Sequence, residues 1–120
     1  MLTHGLFLSS PAFASPLLVL TVLSDDEGST VQACGELDLS TAGQLAGTVR
    51  RLIQQGRRRV QLDLAQLQFI DAAGLEALLE AHNAMLSAAG ELLIINVQPR
   101  THRLLELTGL EQVLDVAEPQ

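Results

Sequence analysis

The 120-residue chain contains no lysine, no tryptophan and no tyrosine, with one cysteine and three phenylalanines. Each shortage excludes something. A single cysteine, Cys34, closes no intramolecular disulfide; it falls within an apolar strand pattern and is expected in the core as a small hydrophobe. Seven arginines stand against fourteen acids, giving a net charge of −7. Nucleic-acid binding needs phosphate-neutralising surface, so that class is not expected. The one basic run, Arg57 to Arg59, lies between a helix end and a strand, where cations complement the helix dipole. No apolar run reaches the roughly 18 residues needed to cross a bilayer, so no direct membrane insertion is expected. The opening "MLTHGLFLSSPAFASP" lacks a positive n-region, and its apolar stretch is broken by Ser9, Ser10 and Pro11, which leaves a secretion signal incomplete. Residues 1–16 are expected to form a loosely ordered leader, residues 118–120 a short tail, and the protein to be cytoplasmic. The absence of lysine together with frequent alanine suits a GC-rich bacterial genome.

Catalytic and ligand-binding signatures are missing as well. Neither GxxxxGK[ST] nor GxGxxG occurs, so no phosphate cradle of either kind is encoded, and no GxSxG supplies a hydrolase elbow. His4, His82 and His102 show no metal-ligand spacing among themselves or with Cys34. His82 lies on an apolar helical stripe and is expected as a hydrogen-bonded core histidine. Asp38, Asp63 and Asp71 fall at or near strand ends and could converge on a cation, but caps and turns use aspartate equally often. The expectation is a protein without catalytic residues, cofactor or metal.

What is present is a hydrophobic content of 48% in alternating and helical periods. "LLVLTVLS" (17–24) and "STVQACGEL" (29–37) read as strands joined by the acidic turn "DDEG". In the second, Val31, Ala33 and Gly35 share a face. Ser40 or Thr41 is placed to cap a helix whose stripe is Ala42, Leu45, Ala46, Val49, Leu52 and Ile53, with Gln44, Thr48, Arg51 and Gln55 elsewhere on its surface. Gly56 stops it. "RVQLDLAQL" (59–67) alternates as a strand, and a second helix is predicted from Ala72 to Ala89, with Leu75, Leu78, Leu79, His82, Met85, Leu86 and Ala89 as its stripe and Gly90 as its stop. "ELLIINV" (91–97) has the near-continuous apolarity of a strand covered on both faces. Pro99 opens a third helix at its first position, with Leu104 and either Leu105 or Leu107 inward and Gly109 at its end. "QVLDV" (112–116) closes the pattern. The order β-β-α-β-α-β-α-β predicts an α/β domain over 17–117: a mixed sheet of about five strands flanked by helices, with right-handed crossovers.

The junction "FIDAAGLEALL" (69–79) turns from strand to helix. Asp71 supplies a short acceptor for the free N–H groups of a helix start, and Gly74 permits a tight turn or close approach to a partner. Alanine at 72 and 73 favours a helix start.

Taken together, "GELDLSTAGQL" (35–45), "VQLDLAQLQFIDAAGLEALL" (60–79) and "GELLIINVQPRTHRLLELTGLEQVLDV" (90–116) resemble a STAS domain, and within it the bacterial anti-sigma factor antagonists. Three marks carry the resemblance: Gly-Glu-Leu-Asp after the second strand, Asp-x-x-Gly-Leu opening the second helix, and Leu-x-x-x-Gly-Leu near the end. The resemblance implies a regulatory binding module that docks on an anti-sigma factor, a serine kinase, and so frees a sigma factor. In that family the kinase phosphorylates a serine or threonine two residues after the aspartate. Here that position is Ala73, which has no hydroxyl. The resemblance places the partner-binding surface on Asp38, Ser40, Thr41, Asp71, Ala72, Ala73, Gly74 and Leu75. Small STAS proteins also serve as accessory subunits of lipid-transport ABC complexes, and a third possibility is a STAS protein holding a small ligand.

Overall fold

A computed structural model describes residues 17–118; the expected leader therefore lies outside the described residues. Strands β1 (Leu18–Ser24) and β2 (Ser29–Leu37) lead into helix α1 (Ala42–Gln54). Strand β3 (Arg59–Ile70), helix α2 (Ala72–Ser87), strand β4 (Glu91–Ile95) and helix α3 (Pro99–Thr108) follow. A 3-10 turn (Leu110–Gln112) and the short strand β5 (Asp115–Val116) end the described chain. The strands form one five-stranded sheet in the order β1-β2-β3-β4-β5. β1 and β2 pair antiparallel, and every other pair is parallel, as helical crossovers require. The predicted fold class and element order hold.

Local chemistry explains the elements. In the hairpin turn, Asp25 Oδ1 accepts from the N–H groups of Glu27 (2.8 Å) and Gly28 (3.1 Å), an arrangement short acidic side chains favour. Alternation then sorts the strands into two faces. Leu18, Leu20, Val31, Ala33, Leu62, Leu64, Leu92 and Ile94 are buried, and they share one core with Leu45, Val49 and Leu52 of α1 and Leu75, Leu78 and Met85 of α2. Burying each such side chain contributes about 1.5–3 kcal/mol. Pro99 begins α3 at its first turn, and left-handed Gly109 (φ 78°) ends it.

Several expectations need correction. Cys34 is exposed, not in the core: it shares strand parity with exposed Gln32, while Val31 and Ala33 point inward. Thr48 is buried, because it shares the inward face of α1 with Leu45 and Leu52. Leu86 is exposed. α2 ends at Ser87, and the residue that takes the left-handed conformation is Ala89 (φ 61°) and not Gly90. β3 continues past residue 67 to Ile70, and the final strand shrinks to two residues because its first part is the 3-10 turn. β4 is fully covered on one face only; Leu93 and Ile95 on the other are half-buried. His82 is buried as expected, yet its Nδ1 finds no hydrogen-bond partner.

The choice between Leu105 and Leu107 is resolved: Leu105 is 0% exposed and Leu107 69%. Leu105→Ala is therefore expected to cost about 2–5 kcal/mol, and Leu107→Ala to stay within about 0.5 kcal/mol. Urea unfolding of the two variants checks this, and equal losses would mean that α3 docks by another face.

Candidate functional site

The register of β2 against β3 assembles the site. Glu36 pairs with Phe69 and Leu37 with Ile70, so the two strands finish side by side and their following turns start together. The Asp71 N–H donates to the Leu37 carbonyl (3.3 Å). Gly74 lies against the same carbonyl: a Cβ there would fall on Leu37 O and come within 2.7 Å of Ile70 Cγ1. The glycine answers a requirement inside the fold, since any side chain at 74 would push the first turn of α2 away from β2.

Asp71 is the helix cap. Its backbone is extended (φ −116°, ψ −170°), its side chain accepts from the Gly74 N–H (2.9 Å), and its carbonyl receives the first intrahelical bond from Leu75 (2.9 Å). That satisfies a donor the helix cannot pair internally.

The turn after β2 works differently. Neither Ser40 nor Thr41 caps α1 with its side chain, contrary to expectation; Thr41 occupies the cap position without such a bond. The Thr41 hydroxyl instead donates to the Glu36 carbonyl (2.8 Å) and accepts from the Asp38 N–H (2.9 Å), tying the turn back to β2. Asp38 Oδ1 accepts from the N–H (2.9 Å) and the hydroxyl (2.7 Å) of Ser40. The Ser40 hydroxyl, foremost, holds the Asp38 carboxyl below its ordinary value; partial desolvation opposes this, and the Ser40 N–H and Thr41 add smaller lowering contributions.

Of the residues the sequence singled out, Ser40 and Ala72 are exposed, and Asp38, Asp71 and Ala73 are half-buried. Thr41, Gly74 and Leu75 are buried, so they hold the surface from behind. Two large apolar residues beside these turns were not among the sequence-based candidates: Leu39 is 81% exposed and Phe69 49%. Their signal was faint. Leu39 sits between two turn-forming residues where no periodicity operates, and Phe69 alternates with buried Ile70. The three aspartates do not pool their carboxylates into a ligand set. Asp38 and Asp71 each serve their own turn, and Asp63, inside β3, accepts from the Ala65 N–H (2.9 Å).

Comparison with known proteins places this geometry. The family model for the STAS domain matches residues 21–118. The chain belongs to the STAS domain family. It is 31% identical over 87 residues to an anti-sigma F factor antagonist of Paenibacillus polymyxa, covering 72% of this chain and 74% of that one. It is 30% identical over 101 residues to an anti-sigma-B factor antagonist of Staphylococcus aureus, covering 84% of this chain and 94% of that one. In fold it is similar to the crystal structure of an anti-sigma factor antagonist from Mycobacterium paratuberculosis, with a TM-score of 0.74, 24% identity, and coverage of 93% and 92%. Among the described residues of this STAS chain, no helix is long and apolar enough to cross a membrane.

Two stability predictions follow from the turns of this STAS domain. Asp71→Ala loses the cap and is expected to cost about 0.5–2 kcal/mol. Gly74→Ala costs more than Asp71→Ala, because its methyl group meets rigid backbone; urea midpoints rank the two variants, and a tolerated alanine at 74 would mean that the close approach is not required. Asp38 sets a pH dependence. Its folded value is depressed, so its contribution is present above the ordinary aspartate value of about 3.9 and is lost as pH falls through the lower folded value. The difference in urea midpoint between the parent and Asp38→Asn is therefore expected to narrow on acidification below about pH 4. A difference that stays constant down to pH 2 would show that the Ser40 bonds do not favour the ionised form.

Proposed function

We propose that this protein is an anti-sigma factor antagonist: a binding module, not a catalyst, that acts in the cytoplasm by docking on an anti-sigma factor of the serine-kinase type. Its docking edge comprises Asp38, Leu39, Ser40, Phe69, Asp71, Ala72 and Ala73, held in place by Thr41, Gly74 and Leu75. The observation that carries the reading is the Asp71–Gly74 turn, kept intact in a STAS chain whose curated relatives bear that role by name. Exposed Leu39 and Phe69 beside it support an apolar contact of the kind that anchors interfaces.

Ala73 stands where the family carries its phosphoacceptor, so the usual switch is absent. A phosphate adds about 1.5 to 2 negative charges. At the start of α2 the helix dipole would tolerate that charge and Asp71 would oppose it, so the main penalty of a phosphate would fall on the partner's surface. Without a hydroxyl at 73 the module stays binding-competent whatever the ATP supply.

Binding titrations of the parent and Ala73→Ser against a cognate kinase-type anti-sigma factor, with and without ATP, test this. The parent is expected to bind equally in both conditions, and Ala73→Ser to be phosphorylated and then to bind more weakly. Leu39→Ala is expected to weaken parent binding by about 1 kcal/mol or more while leaving the urea midpoint unmoved. An ATP-dependent loss of binding by the parent would show that another residue carries the switch. Failure of every form to bind would favour the accessory-subunit role instead.

A further inference from the structure

Far along the chain from the Asp71 turn, His102, Glu106 and Glu111 bring one imidazole nitrogen and two carboxylates to within 4.8 Å of one another. We propose that these three side chains bind one divalent cation of the zinc class and thereby fasten α3 to the 3-10 turn that follows it. The proposal does not depend on the antagonist role.

The placement is a product of the backbone. His102 and Glu106 are one helical turn apart on the same face of α3, and His102 Nδ1 lies 3.7 Å from Glu106 Oε2. Left-handed Gly109 then reverses the chain direction and returns Glu111 to that face. The electrostatics are unbalanced. The chain has no lysine, and among the described residues no arginine is ion-paired with Glu106 or Glu111; the ion pairs are Arg59 with Glu91 and His102 with Glu106. Two carboxylates are thus held beside an imidazole with no permanent cation between them. A bound divalent ion would supply the missing charge.

Ligand type selects the ion. Calcium and magnesium take oxygen sets, whereas an imidazole nitrogen combined with carboxylates suits zinc. Zinc bonds of about 2.0–2.2 Å place neighbouring donors of a tetrahedral ion about 3.3 Å apart. The His102–Glu106 separation of 3.7 Å is already near that value, and partly exposed glutamate side chains close the remainder by rotation. Room for a fourth ligand exists. A concavity of about 250 Å³ adjoins the cluster, lined in part by His102, Glu111, Leu114 and Val116, and it leaves space for a water ligand. The consequence is local. β5 is two residues long, α3 buries Thr101 and Leu105, and Leu114 is buried just before β5, so a bound ion would add a polar fastening to this packing.

The test is calorimetric titration of the whole chain with zinc chloride, paired with urea unfolding at fixed free zinc and with calcium and magnesium as comparisons. Zinc is expected to bind one to one and, at a hundredfold excess over its Kd, to raise the folded-to-unfolded ratio about 100-fold. His102→Ala and Glu111→Gln, with unchanged circular dichroism, are each expected to weaken binding about tenfold or more. Absence of saturable binding, a stoichiometry other than one, variants that titrate like the parent, or magnesium binding as tightly as zinc would each overturn the proposal.

Discussion

The proposed docking edge depends on how closely the first turn of α2 approaches the end of β2. The Leu37 carbonyl receives the Asp71 N–H and lies against Gly74, and both contacts exist because Leu37 and Ile70 finish their strands in register. Move α2 outward by the width of a methyl group and three things fail together. The Asp71 bond to β2 lengthens, Leu75 leaves the core, and the two turns no longer present one surface. The missing side chain at 74 is thus a packing condition first.

In the proposed role the same groups serve stability and recognition. Asp71 accepts from its own helix, and Asp38 accepts twice from Ser40. Carboxylates engaged in this way are oriented before any partner arrives, so binding need not pay to order them. Thr41 does the equivalent work for the turn after β2, with its hydroxyl bonded on both sides and its side chain buried. What remains exposed joins apolar Leu39, Phe69 and the Ala72 methyl group to polar Ser40. A surface of oriented carboxylates around a small apolar centre suits a partner that brings both a hydrophobic pocket and hydrogen-bond donors.

Much of this was legible in the sequence because period and caps are local properties. Alternation over 29–37, helical spacing over α1 and α2, Pro99 and Gly109 located the elements, and the spacing from Asp71 to Gly74 located the cap. What escaped depends on three-dimensional neighbours. Cys34 looked apolar enough for a core, but strand parity sends it outward with Gln32. Thr48 looked polar enough for solvent, yet it lies on the buried face of α1 with Leu45 and Leu52. His82 was expected to find a partner, and a single-residue reading cannot see that the helix delivers its Nδ1 into a place without one. Thr41 was misassigned as a side-chain cap because a hydroxyl at a helix start usually turns forward, whereas here the Glu36 carbonyl behind it is the better-placed acceptor. The proposed ligand set at His102 pairs a histidine with the glutamate one turn later, a combination that comparing histidines only with one another and with cysteine does not reach.

The position of Ala73 separates what the fold requires from what regulation requires. Residue 73 is the second residue of α2, where backbone N–H groups still lack intrahelical partners. A side-chain hydroxyl or phosphate there would meet donors and the positive end of the helix dipole, both of which accept negative charge. The Asp71 carboxylate would resist, but Oδ1 is already neutralised in part by the Gly74 N–H. The residue that the close approach of α2 to β2 constrains is Gly74 and not its neighbour at 73. In the proposed role the consequence of losing the hydroxyl falls almost wholly on the partner, which can no longer mark this surface after docking. In that proposed role, adjacent residues carry the two demands: Gly74 meets β2, and the switch position at 73 lies outside that contact.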